Sequence, residues 1–415
     1  MTLPANIAVN AERLWAAIME TARFGATAKG GVKRLTLTDE DKLVRDWFRA
    51  ACEAAGCTVA IDDLGNMFAR RPGRDNSLPP IAMGSHLDTQ PTGGKFDGII
   101  GVLSGLEVIR TLNDLQIETN APIEVINWTN EEGSRFAPAM LCSGVFAGVF
   151  PRAYADSRVD REGKSFGDEL DRIGYRGTEP VGARKLGAHF ELHIEQGPIL
   201  EAEGKTIGIV TGVQGMRWFE VTVGGAESHA GSTPMPLRHD AMLAAARMIV
   251  AVSEVAATFA PSAVGTVGLV ECRPNSRNVV PGEVRFSVEF RHPSDAEVDV
   301  LDTEFPAAAR AIADACGVTL DLTTLFKLPA QPFDAACVDL VRQGAAKLGY
   351  GTREIVSGAG HDAVYVARHV PTAMIFTPCK DGLSHNEAES IEPEEAEAGC
   401  QVLFEAVVAR ANRRL

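Results

Sequence analysis

Residues 81–112 read IAMGSHLDTQPTGGKFDGIIGVLSGLEVIRTL, and three patterns follow one another in this stretch. A short apolar run, Ile81–Ser85, predicts a buried strand and is followed by a polar turn rich in glycine. Apolar residues at helical spacing then predict a helix from about Gly98 to Leu112. Further strands are predicted at Ile123–Trp128, Phe190–Ile194 and Thr372–Thr377. Strands that alternate with amphipathic helices predict an α/β fold, with a mostly parallel central sheet and helices on both of its faces.

The middle of the chain has a different pattern, in which strands outnumber helices. Helices are predicted at about Asp240–Val255 and Asp295–Cys316. The strand-like runs are Thr206–Val213, Arg217–Val223, Gly265–Val270 and Val284–Phe290. We therefore expect an α+β domain inserted at residues 213–327, between two parts of one α/β domain at residues 1–212 and 328–415. A chain of 415 residues is long enough for two such units.

The charge balance argues against nucleic acid and membranes as partners. The 55 acidic and 40 basic residues give a formal net charge of −15, which repels phosphate groups unless basic residues are concentrated in a patch. The sequence has no such patch, and no apolar run reaches the roughly 18 residues that a membrane span needs. We expect a protein that binds neither.

The cysteines and the N-terminal stretch predict a cytoplasmic location. The eight cysteines are scattered without a CxxC pair, which is typical of buried thiols in a reducing compartment. The beginning of the chain has apolar residues at helical spacing but carries charges at Glu12, Arg13 and Glu20, so it predicts a surface helix rather than a signal peptide.

Four clusters of histidines and carboxylates stand near the ends of predicted strands. They are His86 and Asp88 with Asp97, the pair Glu131 and Glu132, the alternating run Glu191, His193 and Glu195, and His385 in the motif SHNE. Because ligands bind beyond the carboxyl ends of strands in open α/β sheets, these clusters could meet in space. Together they suffice for two metal ions that share one carboxylate, and nitrogen and oxygen ligands suit Zn²⁺, Mn²⁺, Co²⁺ or Ni²⁺. One of the adjacent glutamates could bind metal while the other acts as a general base.

Each cluster alone also has a simpler interpretation. His86 could lie in an ordinary surface turn, and Glu131 with Glu132 could form an exposed acidic turn. The guanidinium of Arg291 suits a substrate carboxylate, but it could equally form a surface ion pair. The sequence leaves these alternatives open.

Other polar residues carry weaker expectations. The acid-rich run Glu387–Glu397 predicts a solvated helix start. We expect His189 and His369 to be structural or exposed, and His239 to cap a helix. His361, in the motif SGAGHDA, could line the site.

The combined motifs resemble the hydantoinase/carbamoylase family of amidases. The stretches that carry the resemblance are GSHLDTQPTGGKFDGIIGVLSGLEV, NWTNEEGSRFAPAMLCSGVFAG, ELHIEQGPILE, ESHAGSTPM, PNSRNVVPG, SGAGHDA and GLSHNEAE, and it extends from about Arg23 onward. This family belongs to a wider superfamily of dinuclear metal aminoacylases and peptidases. It includes N-carbamoyl-L-amino acid hydrolases, β-ureidopropionases and allantoate amidohydrolases.

The resemblance implies two divalent metal ions per subunit, with Zn²⁺ ahead of Mn²⁺, Co²⁺ and Ni²⁺. Their ligands would be His86, Asp97, Glu132, His193 and His385. Asp97 would bridge the ions, Glu131 would be the general base, and Asp88 would orient the surrounding groups.

The resemblance also implies that the inserted domain is a lid through which the protein forms a homodimer. There, His229 would stabilise the tetrahedral oxyanion, reaching into the site of the partner subunit, and Asn278 and Arg291 would hold the substrate carboxylate. Gln196 and the turn with Gly358 and Gly360 would line the pocket.

The implied reaction is cleavage of the carbamoyl C–N bond of N-carbamoyl-L-amino acids, a class of ureido acids, to the amino acid, CO₂ and NH₃. The motifs beginning NWTNEEG are more similar to those of carbamoylases and β-ureidopropionases than to those of allantoate amidohydrolases. Both of these activities remain alternatives, followed by a metallopeptidase or aminoacylase of the superfamily. A non-catalytic binding module and a purely structural acidic protein are further alternatives.

Overall fold

The computed structural model describes residues 7–413, which divide into two compact units. One unit comprises the described residues up to Thr211 and those from Pro332 onward, and the other comprises Gly212–Gln331. The insertion expected at residues 213–327 starts one residue later than the second unit and ends four residues earlier.

The first part of the chain builds most of the larger sheet. Its strands are β1 (Thr58–Ile61), β2 (Met67–Arg71), β3 (Ile81–His86), β4 (Ile123–Trp128), β5 (Ala188–Ile194) and β6 (Ile207–Val213). Its helices are α1 (Ala11–Thr21), α2 (Asp39–Ala54), α3 (Ile99–Asp114), α4 (Leu141–Phe146), α5 (Arg152–Asp156), α6 (Phe166–Arg172) and α7 (Ile199–Ala202). Strands β3, β4 and β5 are buried along their whole length, as strands covered on both faces are.

The smaller unit is an antiparallel sheet with two long helices. Its strands are β7 (Gly215–Gly224), β8 (Ser228–His229), β9 (Val264–Thr266), β10 (Val270–Arg273), β11 (Val279–Val280), β12 (Glu283–His292) and β13 (Thr319–Leu328). Its helices are α8 (Ala241–Ala257) and α9 (Asp295–Cys316). Alternate residues of β7 and β12, among them Phe219 and Phe286, pack with both helices in one apolar core.

Two expectations for this unit are wrong in detail. The single strand predicted at Gly265–Val270 is two short strands, because β9 and β10 pair with different parts of β12. The N-cap of α8 is Asp240, whose side chain accepts the amide proton of Leu243, whereas His239 contacts the carbonyl oxygen of Gly317.

The last part of the chain completes the larger unit. It contains β14 (Gln331–Pro332), β15 (Thr352–Ser357), β16 (Thr372–Thr377), α10 (Ala335–Leu348), α11 (Asp362–Val366) and α12 (Pro393–Asn412). The strand order is β1-β2-β4-β3-β5-β16-β6-β14, with β15 beside β6. The central pairs β4–β3, β3–β5 and β5–β16 are parallel, and the described pairs β1–β2, β2–β4 and β16–β6 are antiparallel. The expected α/β fold is confirmed.

Helices cover both faces of this sheet. Helix α3 lies so close to one face that a Cβ atom on Gly101 would come within 2.4 Å of the carbonyl oxygen of Leu192. On the other face, Ile126 and Trp128 pack with Val366 of α11 and with Phe146 of α4. The close packing of α3 holds the loop before it, which contains Asp97, over the ends of the central strands.

The described helices include none long and apolar enough to cross a membrane. The eight cysteines are free thiols; six of them are buried, and Cys272 and Cys316 are half-buried.

Candidate metal centre

The four polar clusters meet at one edge of the larger sheet. Strands β4, β3, β5 and β16 are neighbours and parallel, so their carboxyl ends lie side by side. His86 is the last residue of β3, His193 lies near the end of β5, and the loops after β4 and β16 carry Glu131, Glu132 and His385. Residues distant in the sequence thereby become neighbours.

Two groups of side chains in this cluster could each hold a metal ion, and they share Asp97. The first ligand group is His86, Asp97 and His193; the second ligand group is Asp97, Glu132 and His385. Asp97 Oδ1 lies 3.6 Å from His86 Nε2 and 3.1 Å from His193 Nε2. Asp97 Oδ2 faces the second group, 3.5 Å from His385 Nε2, which is also 3.5 Å from Glu132 Oε2. One carboxylate could therefore bridge two ions.

The donor atoms fit metal ions. The Nδ1 atoms of His86 and His193 each lie 2.9 Å from a carbonyl oxygen, of Asp88 and of Ile194 respectively. Since a carbonyl only accepts, each Nδ1 is a donor in these contacts, and each Nε2, the ring atom that faces Asp97, is the one that could bind a metal ion. Electron pairs and carboxylate oxygens that converge in a buried site are stabilised by cations.

The glutamate pair leaves β4 through a left-handed turn. Asn130 has φ 61° and donates from its side-chain amide to the carbonyl oxygen of Phe136 at 2.8 Å. Asparagine tolerates this conformation better than most residues. Beyond the turn, Glu132 joins the second ligand group, while Glu131 Oε2 lies 3.5 Å from His86 Nε2. The two adjacent carboxylates thus have different positions in the site.

Asp88 holds this turn in place. Its carboxylate accepts the amide protons of Glu131 at 3.3 Å and Glu132 at 3.4 Å, and the hydroxyl of Thr36 at 2.6 Å. The ring of His86 contacts the main-chain oxygen of Asp88, and the carboxylate is 3.8 Å away. Asp88 therefore orients the glutamate turn with its side chain and the histidine with its backbone.

The pKa shifts in the cluster arise because several carboxylates are buried close to one another. Burial raises the pKa values of Glu131 and Glu132 well above their usual range, and neighbouring carboxylates raise both further. Burial lowers the pKa of His86, but the charges of Glu131 and Asp97 outweigh it and raise that pKa. Burial opposes the ionisation of Asp97, yet its contacts with His193 and His86 hold its pKa well below normal. Divalent cations would offset this excess of negative charge.

Two further residues lie beside the ligand groups. Gln196, at φ 57°, donates from its side-chain amide to Asp97 Oδ2 at 2.9 Å and to the hydroxyl of Ser384 at 3.0 Å. His361 is buried, with its ring centroid 4.5 Å from that of His193 and its Nε2 3.1 Å from Ser357 Oγ. His361 follows the turn with Gly358 and Gly360, so this turn also lies near the first ligand group.

Sequence reasoning missed Glu389. This residue belongs to the run Glu387–Glu397, for which a solvated helix start was predicted, but it is 4% exposed and α12 begins only at Pro393. Its carboxylate accepts the amide protons of Phe96 and Asp97. The acidic composition of the run gave no signal of this burial, because the partners of Glu389 come from a loop almost 300 residues earlier.

The predicted residues of the inserted segment belong to the smaller unit. His229 Nδ1 accepts the amide protons of Gly231 at 3.0 Å and Ser232 at 3.2 Å, so the ring proton is on Nε2. That Nε2 lies 3.3 Å from Nδ2 of Asn278, and because both atoms are donors the two side chains touch without a hydrogen bond between them. Arg291 forms an ion pair with Glu289 on the same strand. His229 and Asn278 are thus neighbours.

A parallel sheet whose strand ends present two histidine–carboxylate groups with one shared aspartate defines the class of two-metal hydrolases. The comparisons with known proteins agree with this class. Residues 82–409 match the family described as Peptidase family M20/M25/M40, whose enzymes typically depend on two metal ions. The chain belongs, within it, to the hydantoinase/carbamoylase family of amidases, and it is a hydrolase of C–N amide bonds.

Individual relatives resemble the chain over nearly its full length. The N-carbamoyl-L-amino-acid amidohydrolase of Rhizobium meliloti is 54% identical over 98% of this chain and 98% of its own. The solved structure of a hydantoinase/carbamoylase family amidase from Burkholderia multivorans has a TM-score of 0.97 and 55% identity, covering 99% of this chain and 100% of the other. The allantoate amidohydrolase of Bacillus subtilis is 32% identical over 92% of this chain and 93% of its own.

Proposed function

We propose that this protein hydrolyses the carbamoyl C–N bond of N-carbamoyl-L-amino acids to the amino acid, CO₂ and NH₃. The observation that carries the proposal is the 54% identity, across 98% of both chains, to the Rhizobium meliloti amidohydrolase of that name. The shared-aspartate arrangement of the two ligand groups supports the same reaction, because a ureido carbonyl is a substrate that a metal pair can activate.

The metal centre in this proposal holds two divalent ions, with Zn²⁺ the first choice and Mn²⁺, Co²⁺ or Ni²⁺ also compatible. His86 and His193 would hold one ion and Glu132 and His385 the other, with Asp97 common to both ligand groups. When bound, the ions supply polarisation of the carbonyl and a water molecule acidic enough to lose its proton near neutral pH.

Glu131 is the proposed general base. It accepts a proton from the attacking water and then delivers one to the leaving nitrogen, and the carbamate released breaks down to CO₂ and NH₃. The burial that raises its pKa brings its basicity closer to the working pH, which suits a group that must both accept and donate. Asp88 accepts the amide protons of Glu131 and Glu132 and thereby fixes the turn that carries both side chains.

The inserted unit supplies the proposed contacts to the rest of the substrate. Arg291 and Asn278 hold the carboxylate, for which a guanidinium is a natural partner. His229 donates from Nε2 to the oxyanion, and the two backbone amides at its Nδ1 keep the proton on the donating nitrogen. Gln196 and the turn with Gly358 and Gly360 line the pocket. We further propose a homodimer formed through this unit and a cytoplasmic location.

Ammonia release provides the test. Purified protein loaded with Zn²⁺ is assayed for ammonia release from N-carbamoyl-L-methionine, N-carbamoyl-β-alanine and allantoate, and for release of free amino acids from a dipeptide, with and without prior removal of metal by a chelator. We expect the first substrate to be preferred and metal removal to abolish turnover, with recovery when metal is restored. Activity that survives complete metal removal would contradict the mechanism.

A second candidate activity is the hydrolysis of allantoate, favoured by the similarity to the Bacillus subtilis enzyme. Allantoate also carries ureido groups and a carboxylate, so the same centre could act on it. A higher kcat/KM on allantoate than on every N-carbamoyl-L-amino acid tested would replace the first proposal with this one.

A further inference from the structure

Glu389 is a buried carboxylate that connects two loops of the candidate metal centre. Its Oε1 accepts the amide protons of Phe96 and Asp97, each at 3.1 Å, and so contacts the backbone of the residue shared by both ligand groups. Because Glu389 is only 4% exposed, its carboxylate has lost most of its hydrogen bonds to water, and the hydrogen bonds from the two amides take their place. The contact fixes the main chain at Asp97 from the loop that follows β16.

The other oxygen of Glu389 reaches the residue before His385. The hydroxyl of Ser384 lies 3.3 Å from Glu389 Oε2 and 3.2 Å from Asp97 Oδ2, and it accepts a proton from the side-chain amide of Gln196. A serine has one hydroxyl proton, so it can donate to only one of the two carboxylates at a time. A cation held by Asp97 Oδ2 would leave that proton for Glu389.

Gly94 leaves the space that the Glu389 side chain needs. A Cβ atom at this position would lie 2.1 Å from Glu389 Oε1 and 2.5 Å from its Cβ, which is far below van der Waals contact. Gly94 is not in the left-handed region, so its backbone conformation does not call for glycine. Position 94 therefore needs a glycine because the side chain of Glu389 occupies the space where a Cβ atom would lie.

We propose that Glu389 is a positioning residue that fixes Asp97 relative to His385 and thereby sets the affinity of the second ligand group for its metal ion. The inference rests on the proposed function only in taking Asp97 and His385 as ligands. Groups that orient metal ligands typically contribute about 10-fold to 100-fold in affinity. Glu389 connects two of the three loops that carry the second ligand group, those of Asp97 and His385, so its loss should weaken this ion more than the one held by the two buried histidines.

Metal titration of the intact protein tests the proposal without any substrate. Metal-free wild type, Glu389→Ala and Glu389→Gln are titrated with Zn²⁺ against a competing chelator, and with Co²⁺ to follow its visible absorption. We expect wild type to bind two ions and Glu389→Ala to bind one of them about 10-fold to 100-fold more weakly, with an altered Co²⁺ spectrum. Glu389→Gln should stay within about threefold of wild type, because the amide oxygen can still accept both backbone protons.

Two controls separate positioning from a general loss of structure. Gly94→Ala should reproduce the weaker binding of Glu389→Ala, since it displaces the same carboxylate. Glu107→Ala removes another buried glutamate, which accepts the amide proton of Asn10 and the hydroxyl of Thr111 and also pairs with Arg13, and it should bind both ions like wild type. Thermal unfolding of each metal-free variant checks that the fold is retained.

The proposal is overturned if Glu389→Ala binds both ions as tightly as wild type, or if Glu389→Gln is as impaired as Glu389→Ala. This result is separate from the proposed activity. A wild type that binds two ions but releases no ammonia from any ureido acid would refute the proposed function and leave the role of Glu389 intact.

Discussion

The candidate catalytic residues of the two units differ most in how strongly their surroundings fix them. In the larger unit, His86 and His193 are 1% exposed, and each has one ring nitrogen held by a carbonyl oxygen and the other directed at a carboxylate. In the smaller unit, His229 and Asn278 are exposed. A buried set of like charges demands cations, whereas exposed polar residues are compatible with a surface that has no function. The arrangement of side chains in the larger unit therefore indicates its chemistry, whereas a catalytic role of the smaller unit has to be tested with substrate.

The largest expected effect belongs to the larger unit, at Glu131. Glu131→Gln should lower kcat by about 10²-fold to 10⁴-fold, because an amide cannot take the proton of the attacking water. Both metal ions should remain bound, since Glu131 belongs to neither ligand group. The measurement is kcat on N-carbamoyl-L-methionine together with metal content, and Glu107→Gln serves as the control. A variant that keeps more than a tenth of the wild-type rate would assign the base elsewhere.

The strand-end clusters could be predicted from the sequence because their signal is local. A histidine or a carboxylate pair directly after an apolar strand, as at His86 and Glu131, is placed by the strand itself. Parallel strands then bring such ends together without further information. The position of Asp97 over these ends depends on the glycine-rich loop and on helix α3, both of which are also visible in the sequence.

Features that depend on distant partners could not be predicted. Glu389 lies in an acid-rich run that indicates solvent, and its burial arises from the amides of Phe96 and Asp97. The separation of β9 from β10 follows from their pairing with different parts of β12; Gly268 lies in the gap, but a single glycine does not indicate where the pairing changes. In each case the contact that determines the structure is made with a segment distant in the sequence, so the local pattern of residues does not indicate it.

His229 offers the sharpest test of whether the smaller unit takes part in catalysis. His229→Ala should lower kcat by about 10²-fold to 10³-fold, the usual effect of removing one oxyanion donor, while leaving metal binding unchanged. His239→Ala, which changes another exposed histidine of the same unit, should have no effect on kcat. If both variants turn over substrate within threefold of wild type, the smaller unit does not supply the oxyanion donor.

A smaller effect, on KM rather than kcat, is expected at Arg291. Arg291→Lys should raise KM for N-carbamoyl-L-amino acids by about 10-fold to 100-fold, because the two-pronged contact with the carboxylate is lost. Arg285→Lys is the control, since Arg285 lies on the same strand as Arg291 and also forms an ion pair with a glutamate, Glu220 of the neighbouring strand β7. Equal KM values for the two variants would mean that Arg291 is only a surface ion pair.

Two histidines within the seven residues of β5 show that burial and membership of the candidate metal centre are separate properties. His189 and His193 are both fully buried and point to the same face, but among the described residues neither ring nitrogen of His189 has a hydrogen-bond partner. Burial lowers the pKa of His189 to about 3, and its ring packs against Trp128. Burial alone therefore does not make a histidine a candidate ligand; its convergence with carboxylates does.

The smallest expected effect follows from this unpartnered histidine and concerns stability. The folded-state pKa of about 3 lies below the unfolded value near 6.5, so the unfolded chain binds the extra proton first. Stability due to a neutral His189 is present above pH 6.5 and is lost as the pH falls from 6.5 towards 3, by about 1.4 kcal/mol per unit. Replacement by leucine removes this loss, so His189→Leu should gain about 1 kcal/mol relative to wild type between pH 7.5 and pH 5.5. Urea unfolding of the metal-free proteins at both pH values measures it, with the exposed His369→Leu as the control. If the two variants respond equally to pH, the ring of His189 has a proton partner in the folded protein, and its contrast with His193 disappears.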